Sequence, residues 1–287
     1  MADSEAISSR VELRLEQLTG MTQYQIGGLV VLPTQTLSVN FPLSELEFPL
    51  YSYLGSITLH TTLWDRLALS LTGKANMTHS DPGTMKDSDW INNTAYPDVY
   101  SESDANLNVR IWSMKLAYRF LKHDPYALYA GIGYIHQNFG FDISNTNQFS
   151  NIPEYSSGYY PGPTLTYDIT YTIPYVELGA AFQANDRVSM SFNVGYSPYA
   201  DAEDEDQHLL RNRIARGDCD GYAILGDINS RYAFADQWAV NIQADYCYIS
   251  TDGISKTYDT AGNWQNTIDQ ETESKQASIG IAIEFEF

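Results

Sequence analysis

IGIAIEFEF, residues 279–287, alternates without a lapse: Ile279, Ile281, Ile283, Phe285 and Phe287 share one face of an extended chain, and Gly280, Ala282, Glu284 and Glu286 the other. A period of two marks a strand whose faces meet different surroundings. The pattern recurs in 188–196, 167–175, 240–248, 67–71 and 11–15. A soluble sandwich alternates too, so three further features select a membrane barrel. The polar face carries charges in mid-strand (Glu12, Arg14, Asp227, Arg231), which a wet lumen accommodates better than a packed core. Tyrosines and tryptophans cluster towards strand ends, as in aromatic girdles. Tight turns at 64–66, 122–125, 184–186 and 235–237 alternate with long polar segments at 29–43, 77–104, 145–165, 200–220 and 252–273.

Four short turns and five long loops predict an all-β, ten-stranded antiparallel transmembrane β-barrel with short periplasmic turns and long extracellular loops, one domain over residues 1–287. In 105–121 the phase set by Leu107, Val109 and Ile111 breaks at Ser113 and Lys115. A bulge, or a strand leaving the lipid zone, accounts for that.

Composition agrees. The formal net charge of −20 argues against nucleic acid as a partner. No apolar run approaches the length of a membrane helix, and the opening MADSEAISSR lacks the apolar stretch of a signal peptide, as expected of a mature exported chain behind an added Met1. Cys219 and Cys247 form no CxxC; they read as isolated thiols, with a disulfide as the alternative, and no metal site is expected.

Two acidic constellations could carry chemistry. Asp87-Ser88-Asp89-Trp90 lies in the second long segment and Asp204-Glu205-Asp206-Gln207-His208 in the fourth. Alternate residues of an extended chain point the same way, so Asp87 and Asp89 share a face, as do Asp206 and His208. Facing each other across a barrel, they would set a carboxylate pair against an Asp/His dyad. The Asp orients the imidazole and raises its basicity, and the imidazole takes a proton from water. Paired carboxylates share a proton and can hand it to an amide leaving group. The bland alternatives are solvated loop acids or, for Asp87 and Asp89, a weak calcium site. His60, His79, His123 and His136 lack an Asp two residues before them, or sit in a turn, and read as structural or solvated.

These residues resemble the omptins, outer-membrane endopeptidases of Gram-negative bacteria. The resemblance rests on Asp87-Ser88-Asp89-Trp90, Asp204 and Asp206-Gln207-His208. Leu18-Thr19-Gly20, Met85, Gly133-Tyr134, Pro174-Tyr175 and the terminal Phe287 support it. It implies a ten-stranded barrel with an exterior rim cleft, catalytic Asp87, Asp89, Asp206 and His208, a water nucleophile, and cleavage of proteins or peptides between basic residues. Asp204, Tyr24 and Met85 would line substrate pockets. A monomer in contact with outer-membrane lipid is expected, with no cofactor beyond a question over lipopolysaccharide.

Two departures from the family pattern bear on substrate and lipid. Tyr24 replaces an acidic pocket residue, which opens that pocket to an aromatic or shorter side chain. The stretches 134–138 and 170–172 lack the arginines expected to hold lipopolysaccharide, so the lipid either does not activate this chain or binds elsewhere. The alternatives to a protease are a silent barrel acting as an adhesin or binding protein, and a channel. Ten strands enclose too narrow a lumen for a general pore.

Overall fold

A computed structural model describes residues 7–77, 83–92 and 94–287; His79 lies outside the described residues. The strands are β1 (Ile7–Val31), β2 (Thr36–Ser38), β3 (Ser44–Pro49), β4 (Ser52–Leu63), β5 (Leu67–Asn76), β6 (Gly83–Asp89), β7 (Val99–His123), β8 (Tyr126–Ser150), β9 (Gly158–Asn185), β10 (Val188–His208), β11 (Arg213–Ala235), β12 (Trp238–Asp259) and β13 (Trp264–Glu286). All described pairings are antiparallel. Near the short turns the ring runs β1-β4-β5-β7 and on through β13, which closes on β1. Near the other end β3 and β6 take the places of β4 and β5. Counting β3 with β4, and β5 with β6, as single staves gives the expected ten.

The short turns fall where the sequence puts them, at 64–66, 124–125, 186–187 and 236–237. The polar segments at the other end are different. Most of 145–165, 200–220 and 252–273 is strand, and the connections shrink to 151–157, 209–212 and 260–263. β7 has 25 residues and would reach roughly 80 Å fully extended, far beyond what a hydrocarbon core of about 30 Å needs.

Aromatic side chains mark the boundary. On the outer wall Phe120, Tyr126, Tyr232 and Trp238 ring the short-turn end, and Tyr53, Trp112, Tyr196, Tyr222 and Tyr246 form a second ring at mid-barrel. From Tyr222 to Tyr232 is eleven residues, the length of one transmembrane strand. Between the rings the wall is apolar outside (Leu13, Leu15, Leu178, Phe192, Ile281) and polar inside (Glu12, Arg14, Glu16, Asn241, Glu284). Ion pairs tie the inner groups: Arg14 to Glu12 at 2.5 Å, Lys74 to Glu16 at 2.9 Å, Arg231 to Glu284 at 2.7 Å.

Above the second ring the sidedness reverses. Phe48, Phe139, Phe141, Tyr167, Ile169 and Tyr171 are fully buried inside, while Glu203, Arg216, Asp218 and Asp220 face out. The interior is packed shut from wall to wall. Phe48 and Tyr167 stack at 4.3 Å between centroids, Thr22 bonds Tyr171 at 2.6 Å, and Gln276 donates to Gln137 at 2.9 Å. β7 crosses the boundary in unbroken phase: even residues face out from Tyr118 to Glu102, and their character changes from apolar to polar. The break at Ser113 and Lys115 is therefore a strand leaving the lipid zone, with no bulge there. Likewise Tyr167, Ile169, Tyr171 and Ile173 alternate because they pack inward, away from any lipid.

Candidate active site

Asp204, Asp206 and His208 occupy even positions on β10, as do the outward Phe192, Val194 and Tyr196. In unbroken phase the acidic residues would point away from the barrel. A β-bulge prevents this. Between Ser197 and Ala200, β10 carries one residue more than β11, and likewise one more than β9 between Tyr196 and Asp201. Pro198 sits in the bulge and cannot donate to a ladder. Ser197 Oγ donates to the Tyr199 carbonyl at 2.8 Å and accepts from its amide at 3.2 Å. The extra residue turns Ala202, Asp204 and Asp206 inward and Glu203 outward.

On the opposite wall Tyr24, Leu46 and Asp87 stand in register across β1, β3 and β6. Asp87 and Asp89 are two apart on β6, on the face of the buried Met85. The two walls meet. Tyr24 donates its hydroxyl to Asp206 Oδ2, and Asp206 Oδ2 lies 3.1 Å from His208 Nε2. Burial holds the Asp87 carboxyl well above the usual carboxylate range; the charges of Asp89 and Asp206 add to this, against Arg211 and Arg213. Two buried carboxylate oxygens of the site, Asp87 Oδ1 and Asp206 Oδ1, have no hydrogen-bond partner.

Asp204 is different, because both its oxygens already accept hydrogen bonds. Oδ1 receives the Gly217 amide at 3.0 Å, and Oδ2 receives Tyr167 OH at 3.3 Å and the Gln270 amide. A side chain at position 217 would put its Cβ 2.6 Å from Asp204 Oδ1, so glycine is required for this contact. Burial, opposed by the hydrogen bonds and aided by Asp206, pushes the Asp204 carboxyl up to about 6.

The structure thus brings Asp87, Asp206, His208 and Tyr24 together, with Asp89 beside Asp87 and Asp204 behind Asp206. Tyr24, Asp204 and Asp206 also line a cavity of about 250 Å³, whereas Met85 lies in the packed interior outside it. Sequence reasoning missed Arg211, Arg213, Tyr167 and Gln270. The arginines had a signal, since they follow His208 directly and a tight hairpin returns them to the site; His208 pairs with Arg213. Gln270, sixty-six positions from Asp204, had none. His60 bonds Ser70 at 2.7 Å in the lumen, His136 lies against Trp112, and His123 is exposed at the end of β7. Cys219 and Cys247 are buried free thiols.

Known proteins resemble this chain to different degrees. The outer membrane protease OmpT from Escherichia coli superposes with a TM-score of 0.84 at 14% identity, over 98% of this chain and 97% of that one. The translocator domain of the autotransporter NalP from Neisseria meningitidis gives 0.42 at 9% identity over 99% and 90%. No curated protein sequence matches. The family model for omptins matches residues 43–287, most of the chain, and the protein belongs to the omptin family.

Proposed function

We propose that this barrel is an endopeptidase that hydrolyses peptide bonds with a water nucleophile held between Asp87 and His208. Family and fold imply a Gram-negative outer-membrane protein related to a protease; the chemistry is inferred from the site. The observation that carries it is the Asp206–His208 contact facing a protonation-prone Asp87 across the barrel. With Nε2–H of His208 directed at Asp206, Nδ1 is the free base. Water attacks the carbonyl carbon as Nδ1 takes its proton. The tetrahedral intermediate then collapses, the C–N bond breaks, and the amine leaves with a proton from Asp87. Asp89 keeps that proton on the pair, since two adjacent carboxylates resist double ionisation. The reaction as drawn needs only these side chains and a water, and long strands beyond the lipid zone are consistent with a site facing the exterior.

The test uses the refolded barrel, with and without lipopolysaccharide, a mixed peptide library, and mass spectrometry of the cut sites. Cuts that vanish in His208→Ala support the proposal. Absence of any His208-dependent cut under either condition defeats it and favours a binding protein on the same barrel.

A further inference from the structure

Beside Asp206 lies a side-chain-sized cavity of about 250 Å³, too small for a typical ligand pocket. One side of its wall is aliphatic, from Ile26, Val30, Leu37, Val39, Leu43 and Ile268, carried on β1, β13 and the β1–β3 connection, and neutral polar groups of β12 and β13 complete it. Its charged residues are Asp204, Asp206 and Arg213. We propose that this cavity receives an uncharged aliphatic side chain flanking the scissile bond, so that the enzyme cuts next to leucine-like residues and discriminates against lysine and arginine. The inference rests on the protease reading and adds its substrate class.

Three observations support this. First, a buried cation needs a carboxylate with free acceptors, and Asp204 already accepts three bonds, from Gly217, Tyr167 and Gln270, of the roughly four it can take. Second, Asp206 Oδ1 is a buried acceptor of the cavity without a hydrogen-bond partner. A substrate cation taking it would bind the carboxylate that Tyr24 and His208 hold through Oδ2, and would enter a space that the cationic Arg213 also lines. Third, the Tyr24 ring, tilted against Tyr167 at 5.3 Å with its hydroxyl on Asp206, brings no charge for a substrate cation to meet. An aliphatic side chain satisfies the wall and leaves every one of these bonds intact.

Two readouts keep this inference separate from the reading beneath it. Wild-type cleavage of a randomised peptide pool should show Leu, Ile and Val next to the cut at least about tenfold more often than Lys and Arg. Calorimetry with the cleavage-dead His208→Ala barrel compares alanine-based peptides carrying one Leu or one Arg. The Leu peptide should bind about tenfold more tightly, whether or not the wild type cleaves it. Equal or tighter binding of the Arg peptide overturns the inference, as does a cut-site preference for Lys or Arg. Val39→Glu, at the half-buried edge of the cavity, should shift both readouts towards Lys and Arg; an unchanged preference would place the selecting pocket elsewhere and overturn it equally.

Discussion

The two ends of this barrel obey opposite rules on the same strands. Between the aromatic rings, Leu13 and Ile281 face out and Glu12 and Glu284 face in; above the rings, Tyr171 and Ile169 face in and Glu203 and Asp218 face out. Where lipid surrounds the wall, apolar side chains belong outside. Where water does, they belong inside, and that burial closes the interior. The difference explains where chemistry can occur. The lower interior neutralises its charges in close pairs, Lys74 with Glu16 and Arg231 with Glu284. The upper interior sets Asp87 and Asp206 in a mostly apolar surrounding with an unpartnered oxygen each. There an ionised group is costly, and burial raises the Asp87 carboxyl well above the usual carboxylate range.

The sharpest way to break this contrast is to remove charge-bearing groups from each end. Asp206→Ala should reduce kcat by roughly 10²–10⁴-fold, in the range of a lost acid–base component, while the barrel still folds. Lys115→Ala, at membrane height and 3.2 Å from Glu177, should leave turnover nearly unchanged. Peptide-cleavage assays on heat-modifiable, folded barrels decide this, and a large loss of turnover in the lumen variant would refute the division of labour. The next effect concerns the outer wall. Ile281→Lys, between the rings, should destabilise the barrel in bilayers by about 2–4 kcal/mol. Glu203→Lys, on the same outer face above the rings, should stay within about 0.5 kcal/mol. Equal costs in reversible unfolding from lipid vesicles would mean the upper ring is not the boundary.

The ten staves and four short turns were readable because the period of two survives both environments. The upper strands were misread as loops for the same physical reason that the ends differ. Above the lipid, the outward face of a strand is as polar as a loop, so 200–220 reads as a long polar loop although most of it is ladder. Asp87, Asp89, Asp206 and His208 were visible as spacing alone. Their orientation was not, because on β10 it depends on one bulged residue near Pro198. The Tyr24 bond to Asp206 and the Gln270 clasp on Asp204 join residues far apart in the chain, and no local pattern encodes them.

A smaller effect sharpens the contrast through pH. The Asp204 carboxyl is raised by burial to about 6, so folding favours its protonated form. The stability this contributes is fully present below the ordinary carboxylate value near 3.8 and is lost as pH rises through about 6. Its full size is no more than about 3 kcal/mol, from a rise of about two units at roughly 1.4 kcal/mol each. Denaturant unfolding in micelles from pH 4 to pH 7 should show that decline in the wild type and a flatter curve in Asp204→Asn. An unaltered slope in the variant would assign the pH dependence to other carboxyls.

The smallest effect isolates the one hydroxyl that links the two walls at the site. Tyr24→Phe keeps the ring contact with Tyr167 and removes the donor to Asp206 Oδ2, the oxygen that His208 also uses. Losing one such bond should cost about 0.5–1.5 kcal/mol. If Tyr24 draws Asp206 away from His208, the variant should make His208 more basic and move the acid limb of the activity profile upward in pH. If Tyr24 holds Asp206 in place for His208, kcat should fall several-fold with the limb unmoved. Either outcome shows in a pH–rate profile of the purified variant. A profile that superposes on the wild type in both height and position would mean the hydroxyl bond contributes nothing to catalysis and that Tyr24 serves the pocket through its ring.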